Sequence, residues 1–228
     1  MFPVGDEDSP KIGLQWMTVL LIGINILVFL YQITLSEGQL EQFIRAYGVV
    51  PAQVQRGENL ISLLTSMFMH GGWMHIIGNM LSLWIFGDNV EAALGKVLYL
   101  GFYLAGGLAA SAVHILFSLG STTPSLGASG AIAAVMGAYV VMFPKARVRV
   151  IIGRLRRVTR VTALIFVGTW FLLQFLNGVA TLGVQTAQTG GVAYWAHIGG
   201  LVAGVIAGFL VRAIPPLDQR RESLVRTA

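Results

Sequence analysis

Residues 127–137 read Gly127-Ala128-Ser129-Gly130-Ala131-Ile132-Ala133-Ala134-Val135-Met136-Gly137, a serine among small residues at the mouth of an apolar helix. They lie in an uncharged run from 97 to 144, which is 48 residues long. A bilayer crossing takes about 20 mostly apolar residues, so this run holds two spans. The break falls at SLGSTTPSLG, 118–127, where Gly, Pro, Ser and Thr favour a turn. Working outward, the charges isolate one span within 12–36 and another within 59–87. The uncharged run 161–211 holds two more, parted by NGVATLGVQTAQTGG at 177–191. The reading gives six spans in all.

The composition agrees. Of 228 residues 55% are hydrophobic and 11% charged, and mean hydropathy is +0.74, against about 25% charged residues in soluble domains. The expectation is an all-α polytopic membrane protein with a six-helix bundle over 16–212. A short cytoplasmic segment, 1–15, would precede it, and a polar, mobile cytoplasmic tail, 213–228, would follow. Orientation follows from Lys and Arg, which accumulate in cytoplasmic loops. With both ends inside, 13 of the 15 basic residues are inside, and only Arg45 and Arg56 are outside. The net charge of +5 then reflects topology and contact with anionic lipid headgroups. Nucleic acid is not expected as a partner, because KARVRVIIGRLRRVTR, 145–160, lacks interleaved aromatics and lies between two spans. Without cysteine there are no disulfides and no thiol catalysis. The first span lacks the charged start, short apolar core and small-residue cleavage site of a signal peptide, and is read as retained.

Ionisable groups at membrane depth are costly and mark sites. His70, His75, His114 and His197 all fall inside the uncharged runs. His75 and Asn79 are spaced i, i+4 and share one helix face, where they could glue helices together or serve as donors. In the last span Ala196, Gly200, Gly204 and Gly208 recur every fourth residue, and Ser129, Ala133 and Gly137 repeat the spacing. Such stripes let helix backbones approach closely. If the two face each other, Ser129 reaches His197, whose imidazole could take the hydroxyl proton. Gly127 and Gly130 would keep the serine accessible. No carboxylate stands at this depth, so the pair would be a dyad, with Asp88 and Glu91 read as a structural cap. His70 is read as a structural hydrogen-bonder and His114 as interfacial. Trp73, Trp84, Trp170 and Trp195 are read as belt or packing aromatics. No ligand set for a metal is seen, and no cofactor is expected.

The segments HGGWMHIIGNM (70–80), FGDNVE (86–91), GASGAIAAVMG (127–137) and AYWAHIGGLVAG (193–204), in this order, resemble the rhomboid family of intramembrane serine proteases. The likeness runs from about Leu60 to Phe209. It implies a six-helix bundle with a cavity open to the outer face, Ser129 as nucleophile and His197 as general base and acid. It also implies an oxyanion hole of His75, Asn79 and the Ser129 backbone N–H. Substrates would be single-pass transmembrane proteins, cut near small and helix-destabilising residues, with the fifth helix and the loop near 178–192 as gate and cap. Two positions depart from the family pattern. Ile61-Ser62 stands where many members have Trp-Arg, and Ala133 stands where an aromatic often backs the catalytic ring. A silent relative that binds or escorts membrane helices is the alternative, although such relatives generally lack the serine or the histidine. A small channel or transporter would show inverted repeats, and none is seen. The compact chain suggests a bacterial cytoplasmic membrane, and oligomeric state is not readable.

Overall fold

The computed structural model describes residues 2–6, 14–152, 157–182 and 193–227. Among the described residues a bundle is built from α1 Trp16–Gln32, α5 Trp73–Leu94, α6 Lys96–Leu116, α7 Ser129–Met142, α8 Ala163–Ala180 and α9 Tyr194–Ala213. Of these, α6, α8 and α9 are long and apolar enough to cross a membrane on their own, and α1 and α7 are shorter apolar helices. Between α1 and α5 lie the short helices α2 Glu37–Tyr47, α3 Pro51–Gln55 and α4 Ser62–Thr65, then a 3₁₀ turn at Ser66–Phe68.

The centre of the bundle is α7. A helix apolar on all sides can be stable only when surrounded, and every residue of α7 except Ser129 and Val141 is buried. The two small-residue stripes do face each other. A Cβ added at Gly200 would collide with the Gly130 carbonyl oxygen, one at Gly204 with the Ala134 carbonyl oxygen, and one at Gly137 with the Leu201 carbonyl oxygen. Backbone therefore lies on backbone along the α7–α9 seam, the close approach that only small residues permit. On its other flank α7 meets α6, where a Cβ at Gly106 or Gly107 would strike Ala134 or Met67.

The charge-bounded span 59–87 is not one helix. Its first part forms α4, the 3₁₀ turn and a loop, and α5 runs on past Asp88 and Glu91 to Leu94. The helix tolerates these carboxylates because Glu91 is bonded. It accepts from the backbone N–H groups of Met17 (3.0 Å) and Thr18 (2.7 Å) and from the Thr18 hydroxyl (2.8 Å). The first turn of α1, which has no side-chain cap from Gln15, is thus capped by a neighbouring helix, which satisfies N–H groups with no intrahelical partner.

Helices are not the whole architecture. β1 Phe2–Asp6, β2 Arg147–Ile152 and β3 Arg157–Thr162 form a three-stranded antiparallel sheet in that order, with Arg149 opposite Arg160 and Pro3 opposite Val150. The alternation explains it: Val148 and Val150 are buried while Arg147 and Arg149 are exposed, the period of two that a half-buried strand requires. The tail expected to be mobile contains the helix α10, Pro215–Thr227. Its Arg221 bonds Asp218 (2.7 Å) and donates to the Met142 carbonyl (3.2 Å), a cation at the C-terminal end of α7 where the helix dipole favours one. Residues 183–192, within the segment expected to form the cap, lie outside the described residues.

Candidate active site

The loop before α7 is held from outside the bundle. Val49 and Ser125 exchange two backbone hydrogen bonds (2.9 and 2.8 Å), Ala52 N–H donates to Ser121 (2.9 Å), and Gly127 N–H donates to Ser66 (2.9 Å). The departure at Ile61-Ser62 is accommodated locally. Ser62 is buried, its hydroxyl donates to the Asn59 carbonyl (2.7 Å), and Thr65 donates to the Tyr47 carbonyl (2.8 Å). The backbone bonds of Val49, Ala52 and Ser66 tie the α1–α5 connection to the loop that delivers Ser129.

Ser129 does not cap its helix, and the start of α7 has no side-chain cap. Its Oγ lies 2.7 Å from His197 Nε2. The other ring nitrogen of His197, Nδ1, lies 2.8 Å from Gln174 Oε1 on α8, and the Trp170 ring packs on the imidazole with centroids 5.4 Å apart at 38°. At the start of α9, Trp195 stacks on Phe117 just after α6, centroids 3.7 Å apart and planes 4° from parallel. Ala196 approaches Gly130.

The other expected residues gather on the same side. His75 Nδ1 accepts from Gly71 N–H (3.2 Å), so its hydrogen sits on Nε2. A Cβ at Gly127 would lie 2.9 Å from that Nε2 and 3.4 Å from Ser129 Oγ. The imidazole and the hydroxyl therefore flank a space that the glycine leaves empty. Asn79 is buried, and its Nδ2 bonds His70 Nε2 at 2.9 Å. His70 is fixed in turn by Gln32 of α1, which accepts from His70 N–H (3.0 Å) and donates to the His70 carbonyl (3.2 Å). His70 is thus a structural hydrogen-bonder, and the group it holds is Asn79.

His114, read as interfacial, stands in the last turn of α6. It is buried and, with Ser66, Ser111, Ser125 and Gly127, lines a cavity of about 30 Å³ that Ser129 also borders, room for roughly one water. Gln174 was missed from the sequence, and Trp170 was read only as a belt or packing aromatic. The available signal was a polar side chain within the apolar run of α8, one turn beyond Trp170 on the same face. Among the described residues no three of His, Cys, Asp and Glu gather to hold a metal ion.

The comparisons with known proteins follow the same residues. The family profile of the rhomboid domain matches residues 57–214. Rhomboid protein 1, mitochondrial, of Saccharomyces cerevisiae is 32% identical over 88% of this chain and 55% of its own length. Rhomboid protease GluP of Bacillus subtilis is 30% identical over 86% of this chain and 34% of its own length. Presenilin-associated rhomboid-like protein A, mitochondrial, of Danio rerio is 33% identical over 40% of this chain and 24% of its own length. The chain spans about half the length of the first of these relatives and less of the others. Mitochondrial names recur among the relatives, and they weigh against the bacterial cytoplasmic membrane expected from the chain's compactness. With the family profile covering α5 to α9 and the site motifs carried on those helices, the chain belongs to the rhomboid family and its helices form a polytopic bundle in a membrane.

Proposed function

We propose that the chain is an intramembrane serine endopeptidase that cleaves the transmembrane segments of single-pass membrane proteins. The observation that carries this reading is the 2.7 Å separation of Ser129 Oγ and His197 Nε2, within the range that lets a base accept the nucleophile's proton. Ser129 Oγ attacks the scissile carbonyl carbon as its proton passes to Nε2. The proton then goes to the departing amine; water, deprotonated by the same nitrogen, adds to the acyl carbon, and the acyl group leaves as the acid while Oγ takes the proton back from Nε2. The negative charge on the tetrahedral intermediate's oxygen is met by the Ser129 N–H at the uncapped start of α7, by His75 Nε2–H and by the Asn79 carboxamide. Each such donor commonly contributes about 2.7–4 kcal/mol. The small cavity beside Ser129 suits a small side chain next to the cut bond.

Purified protein in detergent or liposomes is expected to cleave a transmembrane test substrate and to react with a fluorophosphonate, and Ser129→Ala is expected to abolish both. Cleavage that survives in Ser129→Ala would end this reading. A silent, helix-binding relative would give neither reaction in the unmutated chain.

A further inference from the structure

We infer that Gln174 is the positioning residue of His197, a neutral amide in the place where Ser-His-Asp systems carry a carboxylate; the inference rests on the proteolytic reading above. A neutral imidazole has one N–H and one lone pair, and the partner of one nitrogen decides the role of the other. Gln174 Oε1, 2.8 Å from Nδ1, is a carbonyl oxygen and only accepts. The hydrogen therefore resides on Nδ1, and the Nε2 lone pair faces the Ser129 hydroxyl at 2.7 Å. The opposite tautomer would set Nε2–H against Oγ and leave no lone pair for the serine proton.

The ring plane is fixed from the same helix. Trp170 precedes Gln174 by four residues and lies against the imidazole, so the two side chains point in one direction. Together they supply what the methyl of Ala133, buried in the α7 core, cannot. Among the described residues no carboxylate bonds His197. Glu91 is engaged with the first turn of α1, and Asp88 bonds Asn89. An amide also suits this depth: an ionised carboxylate would have to be desolvated beside the ring, whereas an amide orients the ring without burying a charge.

The test uses the full chain in detergent with Gln174→Leu and Gln174→Glu. It follows kcat and KM on a transmembrane test substrate against pH, thermal unfolding, and ¹⁵N spectra of the imidazoles, with His197 assigned by the signals lost in His197→Ala. Gln174→Leu is expected to lower kcat by about a hundredfold, at the low end of what general acid–base catalysis supplies. KM and the unfolding temperature should change little, and the His197 hydrogen should be shared between both nitrogens. Gln174→Glu still accepts from Nδ1–H and is expected to remain active. The His197 hydrogen should stay on Nδ1 in this variant, as in the unmutated chain. Unchanged kcat and an unchanged tautomer in Gln174→Leu would overturn the inference, as would a His197 hydrogen on Nε2 in the unmutated chain. If the unmutated chain proves as inert as Ser129→Ala while Gln174→Leu still redistributes the hydrogen, the proteolytic reading fails and the positioning bond stands.

Discussion

Gly127 shows how narrowly the site is drawn. Its φ is +137°, a region that side chains rarely adopt. A Cβ there would also press on the His75 ring at 2.9 Å. The loop cannot give way freely, because Gly127 N–H is bonded to Ser66 and the neighbouring Ser125 to Val49. Gly127→Ala is therefore expected to strain the loop by about 1–3 kcal/mol and to displace His75 or Ser129. Small misplacements at a reacting centre can cost about a hundredfold in rate, so fluorophosphonate labelling should slow by at least tenfold. Circular dichroism should be unchanged. Labelling at the normal rate would show that the space between the imidazole and the hydroxyl is not needed.

At the scale of helices, the α7–α9 seam determines whether Ser129 and His197 can meet. Gly204→Leu would drive a side chain into the Ala134 backbone, already in contact with the position of a single Cβ. Overpacking of a tight core costs about 1–3 kcal/mol or more, and here it would separate the two helices that carry Ser129 and His197. Lowered thermal stability and loss of labelling should appear together. Gly101→Ala on α6 is the control: a Cβ there meets nothing within 4 Å, so stability and labelling should both be kept. This seam was legible in the sequence because a four-residue period of small residues is a local pattern with one structural use. The sheet was not. The alternation Arg147-Val148-Arg149-Val150 was present, but basic residues between two spans read equally well as an inside loop, and the partner β1 is distant in sequence. Charge used as a boundary hid that α5 runs past the inner end of its uncharged run. Glu91 lies within the helix because α1 supplies three donors to it. Gln174 escaped for a similar reason, since a lone amide in an apolar run acquires meaning only once α9 brings an imidazole to it.

The whole molecule is polarised along the axis of α7. Ser129 begins this helix and Met142 ends it, about 20 Å away at 1.5 Å per residue. At the Met142 end stand β1, the basic strands β2 and β3, and α10 through Arg221. At the Ser129 end stands the α1–α5 connection, bonded to the loop before α7. Basic segments are retained on the cytoplasmic or equivalent inner side, so the proposed orientation turns Ser129 and α2 toward the opposite compartment. The absence of cysteine from the sequence makes this directly measurable, because any thiol introduced is the single reactive one. Gln42 on α2 and Lys145 at the end of α7 are both exposed, so neither replacement disturbs packing. In sealed vesicles that expose the outer face, an impermeant maleimide is expected to label Gln42→Cys. Lys145→Cys should react only after the membrane is opened with detergent. Immediate labelling of Lys145→Cys with protection of Gln42→Cys would invert the bundle and with it the side from which a substrate reaches Ser129. Equal labelling of both in vesicles shown to be sealed would mean that the basic residues do not set a single orientation.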